Sequence, residues 1–342
     1  MTPKSKSDAP SLTSIAPTSL ERHLRRFHRG HVLVIGDLML DHYIWGAVSR
    51  ISPEAPVPIV HVDRESLRLG GAANVYNNVL SLGGQAEVCG VIGNDNTGKS
   101  LLKELGGGRH RHPGIIVDAS RSTTRKARII AHSQQVVRYD VENRQDISQP
   151  ITRRILKHIE SRMDAISCIV ISDYAKGVIM PSLMAQVGKL ARSRKIPMII
   201  DPKVDHFLYY SGATVITPNH MEAQQAAGRS GHDHQAIHEI GHSLRQKLGC
   251  EAVLVTRGEQ GMSLCESNGY SWHIPTMARQ VYDVTGAGDT VVSTLALAMS
   301  IGASIPEASI MANYAAGVVV GQVGTASISK AQLKEAIQHA HE

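Results

Sequence analysis

The sequence predicts an α/β protein whose mostly parallel sheet is covered by helices on both faces, with a small β ribbon outside it. Three observations predict it. Short apolar runs ending in glycine or an acid recur from His31 to Thr256, each marking a buried strand that opens into a loop. Amphipathic stretches of helical period separate them, and strand-helix alternation over more than half the chain favours parallel pairing. Between Ile51 and Leu69, three prolines interrupt a period-two pattern, which suits an extended ribbon off the main sheet.

The elements follow in order. Met1 to Thr18, rich in Ser, Pro and Lys, reads as a disordered arm, and Glu21 to Phe27 as a short surface helix with a solvated basic face. His31 to Asp37 is the first buried strand; Asp37 and Asp41 project beyond it, where ligands bind in open α/β sheets. Gly70-Gly71-Ala72-Ala73-Asn74 introduces a helix to about Leu82, and Glu87 to Ile92 is the next strand. Strands are expected at 115–117, 127–131, 136–139, 168–171, 197–200, 213–216 and 252–256. Helices are expected at 151–163, 182–193, 220–227 and 235–248. No internal repeat and no linker divides the chain.

Composition narrows the function classes. The four cysteines are widely spaced and form no C-x-x-C pair, the pattern of reduced, buried thiols in a cytoplasm. No run of 18 uninterrupted apolar residues and no secretory leader pattern occurs, so neither a membrane nor a secreted location is expected. A formal charge of +6 with only 4% aromatic residues suits small anionic ligands better than nucleic acid.

Three motifs compete for the chemistry. Gly93-Asn94-Asp95-Asn96-Thr97-Gly98-Lys99-Ser100 matches the G-x-x-x-x-G-K-[ST] phosphate loop, with Lys99 on phosphates and Ser100 on magnesium; Asp173 and Asp201 would be its further carboxylates. His238-Glu239-Ile240-Gly241-His242 matches the H-E-x-x-H zinc pattern, extended by His234 but without a third ligand at the expected spacing; a solvated helix is the plainer reading. Asp283-Val284-Thr285-Gly286-Ala287-Gly288-Asp289 is a glycine turn opening a helix. Its N–H groups would cradle an anion, and Asp289 would take a proton from an attacking hydroxyl. Elements elsewhere support this third motif. Asn219 and Glu222 sit three apart on one helical face, suited to a water-coordinated magnesium, and Thr256 to Gly261 is a strand-end turn whose N–H groups suit a nucleotide.

Together, Gly70-Gly71…Asn74, Asn219-x-x-Glu222, Thr256-x-Gly258 and Asp283-x-Thr285-Gly286-Ala287-Gly288-Asp289 resemble the ribokinase-like (PfkB) carbohydrate kinases from Val32 to about Gln338. The resemblance implies a single ribokinase-like domain over residues 19–342, with a β lid inserted at about 45–69 and further lid strands near 124–141. It implies that Asp289 is the base, that Gly286, Ala287 and Gly288 form the oxyanion cradle, and that ATP and Mg2+ are required. It also reassigns Gly93 to Gly98 to a family loop, leaving Lys99 and Ser100 incidental. The nucleotide side would comprise Asn219, Glu222, Lys203, Thr256, Gly258, Gly261 and Asn313, with magnesium held through water by Asn219 and Glu222. Potassium would bind near Asp283 and the 320–327 loop.

Within that family, Gly36 to Tyr43, Ile51 to Pro58, Ser172 to Gly177 and Asp201-Pro202-Lys203 resemble the D-glycero-β-D-manno-heptose-7-phosphate 1-kinases, which serve ADP-heptose synthesis for lipopolysaccharide. The alternatives are a kinase for fructose 1- or 6-phosphate or the P-loop NTPase. Sugar partners are then Asp37, Asp41, Gly70, Gly71 and Asn74, and the cations for a substrate phosphate are Arg138, Lys176 and Arg128. A homodimer through the lid is expected. So is a separate nucleotidyltransferase, since the H-x-G-H segment of the two-activity members is absent from these 342 residues.

Overall fold

A computed structural model describes residues 15–107, 111–132, 134–231, 233–278, 282–322 and 326–339. The predicted arm at 1–14 lies outside them. The first helix, α1 (Pro17–Arg26), starts two residues inside the expected arm, with proline in its first turn where a missing N–H costs nothing. It is not merely a surface element, because Leu20 and Leu24 are buried on one face.

At the centre of the main sheet lies β1 (His31–Gly36). Val32 and Val34 pack into the core on one face, Leu33 and Ile35 into the core on the other. That two-sided burial is why the strand reads as a continuous apolar run. Its parallel neighbours are β4 (Gln85–Gly93) and β8 (Cys168–Ser172). Beyond β4 lies β5 (Ile115–Asp118). Beyond β8 come β9 (Met198–Asp201), β10 (Val215–Ile216) and β11 (Ala252–Thr256), all parallel. Two antiparallel strands that the periodicity did not signal, β12 (Met262–Glu266) and β13 (Ser271–Ile274), close that edge.

One face is covered by α2 (Ala72–Ser81), α8 (Ala287–Ser300), α9 (Ile305–Val319) and α10 (Lys330–His339). The other carries α4 (Gln149–Arg162), α5 (Pro181–Arg194), α6 (His220–Ala227) and α7 (His234–Leu248). Since β1 is flanked by strands that leave in opposite directions along the chain, the crevice at its carboxyl end is where an open α/β sheet binds ligands.

Over that crevice stands a second sheet of β2 (Leu38–Ile51), β3 (Pro58–Gly71), β6 (Thr124–Ala131) and β7 (Gln134–Val141), in the order β3-β2-β6-β7. It is larger than the ribbon read from the sequence: β2 begins at Leu38, so Asp41 is itself a lid residue. All four cysteines are free and buried, and no helix among the described residues is long and apolar enough to cross a membrane.

Candidate active site

Gly286 caps α8 with a φ of 81°, a left-handed conformation that glycine adopts without strain, and no side chain caps the helix. The N–H groups of Gly286 and Gly288 therefore keep no acceptor within the described chain, and nothing lies within 4 Å of where a side chain on Gly288 would begin. Asp289, one position on, is 4% exposed. Asn74 of α2 donates to its Oδ2 at 2.7 Å, and the Tyr174 hydroxyl donates to its Oδ1 at 2.9 Å. Burial, with the charge of Asp41, pushes Asp289 up to about 6 against the pull of those two donors. At neutral pH it is an ionised, water-poor carboxylate able to accept a proton.

The lid supplies the opposite wall. Asp41 is buried and accepts from Arg128 Nη1 at 2.5 Å; Gly70 lies so close that a side chain there would meet Asp41 Oδ2 at 2.7 Å. Gly71, with Ala72 next to it, turns β3 into α2 and so delivers Asn74 to the base. Lys126, whose ammonium is 5.1 Å from the Tyr174 ring, is held below its usual range by burial. It borders the site but was missed in the sequence, because a lysine in a half-exposed strand carries no signal.

Some expected ligands have other partners. Asp37, proposed for a sugar hydroxyl, is corrected: its carboxylate accepts backbone N–H groups from Tyr174, Lys176 and Val178, which fastens the loop after β8 beneath the site. Burial lifts it to about 6. Of the cations chosen for a substrate phosphate, Arg138 pairs with Asp140 and Lys176 with Glu142, while Arg128 holds Asp41.

Behind Asp289 opens a cavity of about 680 Å³. Its walls bring together Lys203, Asn219, Glu222, Thr256, Gly258, Gly261, Asn313, Ala287 and Gly288, from five separate stretches of chain. Asn219 and Glu222 form a reciprocal capping box, each side chain accepting the other's N–H at 3.0 Å. Asp201 and Asp173 also face the cavity. Burial and the charges of Asp289 and Glu222 push Asp201 well above its usual range, an acidic crowding that a divalent ion relieves. Among the described residues no cluster of three His, Cys, Asp or Glu is arranged to ligate a metal directly. Where the sequence places potassium as an expectation, Tyr282 and Asp283 donate backbone N–H to Val320, and 323–325 of that loop lie outside the described residues.

The two rival motifs lose their chemistry. In the 93–100 loop, Lys99 is exposed and Asp95 absorbs the N–H of Gly98 at 2.7 Å, and none of these residues lines the cavity. On α7, His242 bonds Ser271 and His234 bonds Arg257, while burial lowers His238 to about 4. These histidines pack against β12 and β13, which corrects the solvated-helix reading as well as the zinc one.

A nucleotide-sized cavity ending at a buried acid, under a β lid, defines a small-molecule kinase. The family model "pfkB family carbohydrate kinase" matches residues 29–332, and the chain belongs to that family. It is similar to the bifunctional protein HldE of Geobacter sulfurreducens, at 45% identity over 92% of this chain, and to that of Pelobacter propionicus, at 43% over 94%. The chain spans 64% and 66% of those two proteins. Solved structures share the fold. Phosphofructokinase-2 of Escherichia coli superimposes with a TM-score of 0.74 at 18% identity, covering 92% of this chain and all of that one. Ribokinase of Arabidopsis thaliana, solved with ribose and ATP, gives 0.69 at 19%, covering 90% and 99%. The protein is a ribokinase-like carbohydrate kinase, a phosphotransferase to an alcohol group.

Proposed function

We propose that the protein phosphorylates the anomeric O1 of D-glycero-β-D-manno-heptose 7-phosphate with ATP, feeding ADP-heptose and lipopolysaccharide core synthesis. The observation that carries the phosphoryl transfer is Asp289: a buried, ionised carboxylate beside uncommitted N–H groups, between the lid acid Asp41 and a cavity of about 680 Å³. ATP lies along Lys203, Thr256, Gly258, Gly261 and Asn313. The sugar hydroxyls meet Asn74, Asp41 and the backbone at Gly70 and Gly71. Asp289 takes the proton of O1 as O1 bonds the γ-phosphorus and the bond to the β-phosphate oxygen breaks, releasing ADP. The N–H groups of Gly286 and Gly288 meet the charge on the moving phosphoryl group. Glu222 and Asn219 would hold Mg2+ through water, and the ion would supply charge neutralisation on the phosphates. Potassium near Asp283 would order the cradle, and equal rates in sodium and potassium would remove that part.

The heptose assignment is supported by the segments 36–43, 51–58, 172–177 and 201–203 and by the similarity to the bifunctional HldE proteins. We further propose that residues 19–342 act as one kinase domain and that two copies pair through the outer lid face. There Ile44, Ile129 and Val137 share a row and Val137 and Tyr139 are exposed. A monodisperse monomer by light scattering would refute the pairing. The substrate is tested by a panel of sugar phosphates with Mg-ATP, locating the new phosphate by phosphorus NMR. A product phosphorylated at O1 of the heptose 7-phosphate is expected, and faster turnover of fructose 1- or 6-phosphate would overturn the assignment.

A further inference from the structure

The cations nearest the site are not equally available. Arg128, Arg138 and Lys176 each already have a carboxylate within ion-pair distance, and Lys126 feels both Asp41 and Asp140. Arg68 differs. It lies directly opposite Asp41 across the β2–β3 ladder, and directly opposed residues project from the same face of the sheet. No acidic partner lies within ion-pair distance of it among the described residues.

Arg68 also borders a separate cavity of about 270 Å³, lined with Leu69, Asn74, Asn77, Gln322, Ala326 and Ser327. Among the described residues no carboxylate lines this cavity, so an anion entering it meets one guanidinium and neutral hydrogen-bonding groups. Asn74 joins the two spaces. Its Nδ2 donates to Asp289, so the same side chain touches the base and lines the Arg68 cavity. Asn77 stands three residues on, on the same face of α2. Because Asn74 touches both, a sugar whose reacting hydroxyl meets Asp289 borders the wall of that cavity.

We propose that Arg68, with Asn77, binds the phosphate the sugar already carries, and so makes the enzyme select a sugar monophosphate over the free sugar. This rests on the reading of the substrate as a sugar phosphate. The subsite recognises a dianion of phosphate geometry, whichever sugar bears it.

The test compares wild type, Arg68→Gln and Lys126→Gln on heptose 7-phosphate and on the same heptose without phosphate. Arg68→Gln is expected to raise KM for the phosphorylated sugar roughly 10- to 100-fold, the range for losing a charge-assisted bidentate contact. Its kcat, its KM for ATP and its KM for the free sugar should stay within about threefold of wild type. An unchanged KM for the sugar phosphate in Arg68→Gln, or an equal loss on both sugars, overturns the subsite. So does a loss of phosphate preference confined to Lys126→Gln. Should wild type itself show no preference for the phosphorylated sugar, the sugar-phosphate reading falls and the subsite with it. A wild-type preference that survives Arg68→Gln defeats the subsite alone.

Discussion

Residues 93–100 and 283–290 both lead into a helix through glycine, yet they use their backbone N–H groups in opposite ways. In the first loop Gly93 donates to Thr123 Oγ1 at 2.8 Å, Gly98 donates to Asp95 Oδ1, and Thr123 donates back to Asp95 Oδ2 at 2.8 Å. The donors that a phosphate would need are already bonded inside the fold. Its glycines serve close approach: a side chain on Gly98 would meet Gly93 O at 2.7 Å, and one on Gly93 would meet Arg121 O at 2.4 Å. In the second loop Gly286 leaves α8 without a side-chain cap, and Ala287 and Gly288 line the cavity of about 680 Å³. A phosphate site is thus defined by unspent donors at a helix start rather than by the letters around them.

Substitution at Asp289 separates the two loops most sharply. Asp289→Asn should lower kcat by about two to four orders of magnitude, the range for lost base catalysis, with KM for ATP little changed. Lys99→Ala should leave kcat within about twofold. The reverse pattern in steady-state assays would return the chemistry to the 93–100 loop. Stability should move the other way. The carboxylate is lifted from its usual 3.8 to about 6, so the folded state holds the proton more tightly than the unfolded chain. That stabilisation is complete below about pH 3.8 and is lost as pH rises through about 6, leaving an ionised buried acid as a cost at neutral pH. Asp289→Asn removes the cost, for a gain of roughly 1–2 kcal/mol at pH 7.5 that shrinks toward pH 4. Denaturant melts at the two pH values measure it.

Asp95 tests the structural role of the first loop. Burial pushes its carboxyl up, but the N–H groups of Thr123 and Gly98 outweigh that and hold it below its usual range. Asp95→Ala removes the cap of α3 (Asn96–Glu104) and the tie to Thr123, at an expected cost of about 1–3 kcal/mol in urea melts. Turnover of the folded fraction should stay near wild type. A loss of turnover without a loss of stability would mean that the loop touches substrate.

Much of this architecture was legible because parallel strands buried on both faces give long apolar runs, as Val32 to Ile35 do. The lid was legible only in part. In β2 the apolar residues of the inner strand end run into a mixed row of Asp41, His42, Tyr43 and Trp45, so neither a clean alternation nor an apolar run marks it. At the candidate site, glycine spacing and acids near strand ends were the signals that drew attention to residues the fold brings close together, such as Gly288, Glu222 and Lys203. Asp37 was misread because an acid at a strand end satisfies backbone donors as readily as ligand hydroxyls. Tyr174 was not singled out at all: nothing in a Ser-Asp-Tyr-Ala-Lys-Gly string tells that the ring reaches across to a base 115 positions away.

The smallest effect should come from that tyrosine, and it bears on how the open loop is tuned. The Tyr174 hydroxyl stabilises the ionised form of Asp289, and the Tyr174 N–H is anchored by Asp37 Oδ2 at 2.8 Å, so the donor is held from below. The ring also faces the lid ammonium of Lys126 at 5.1 Å, which makes the position of the hydroxyl sensitive to where the lid sits. Removing the oxygen leaves Asn74 as the one remaining donor, while burial continues to favour the protonated acid, so the Asp289 pKa must rise above about 6. More of the base is then protonated at any given pH near 6. Tyr174→Phe should therefore lose activity at pH 6 while staying within a few-fold of wild type at pH 8, because above the titration both enzymes carry the same ionised base. A pH profile of kcat distinguishes this from a packing defect, since Phe keeps the ring and a packing defect would depress the whole curve equally. An acid limb that stays in place would mean that Tyr174 positions the base without tuning it, and that burial, Asn74 and the neighbouring charges set its titration.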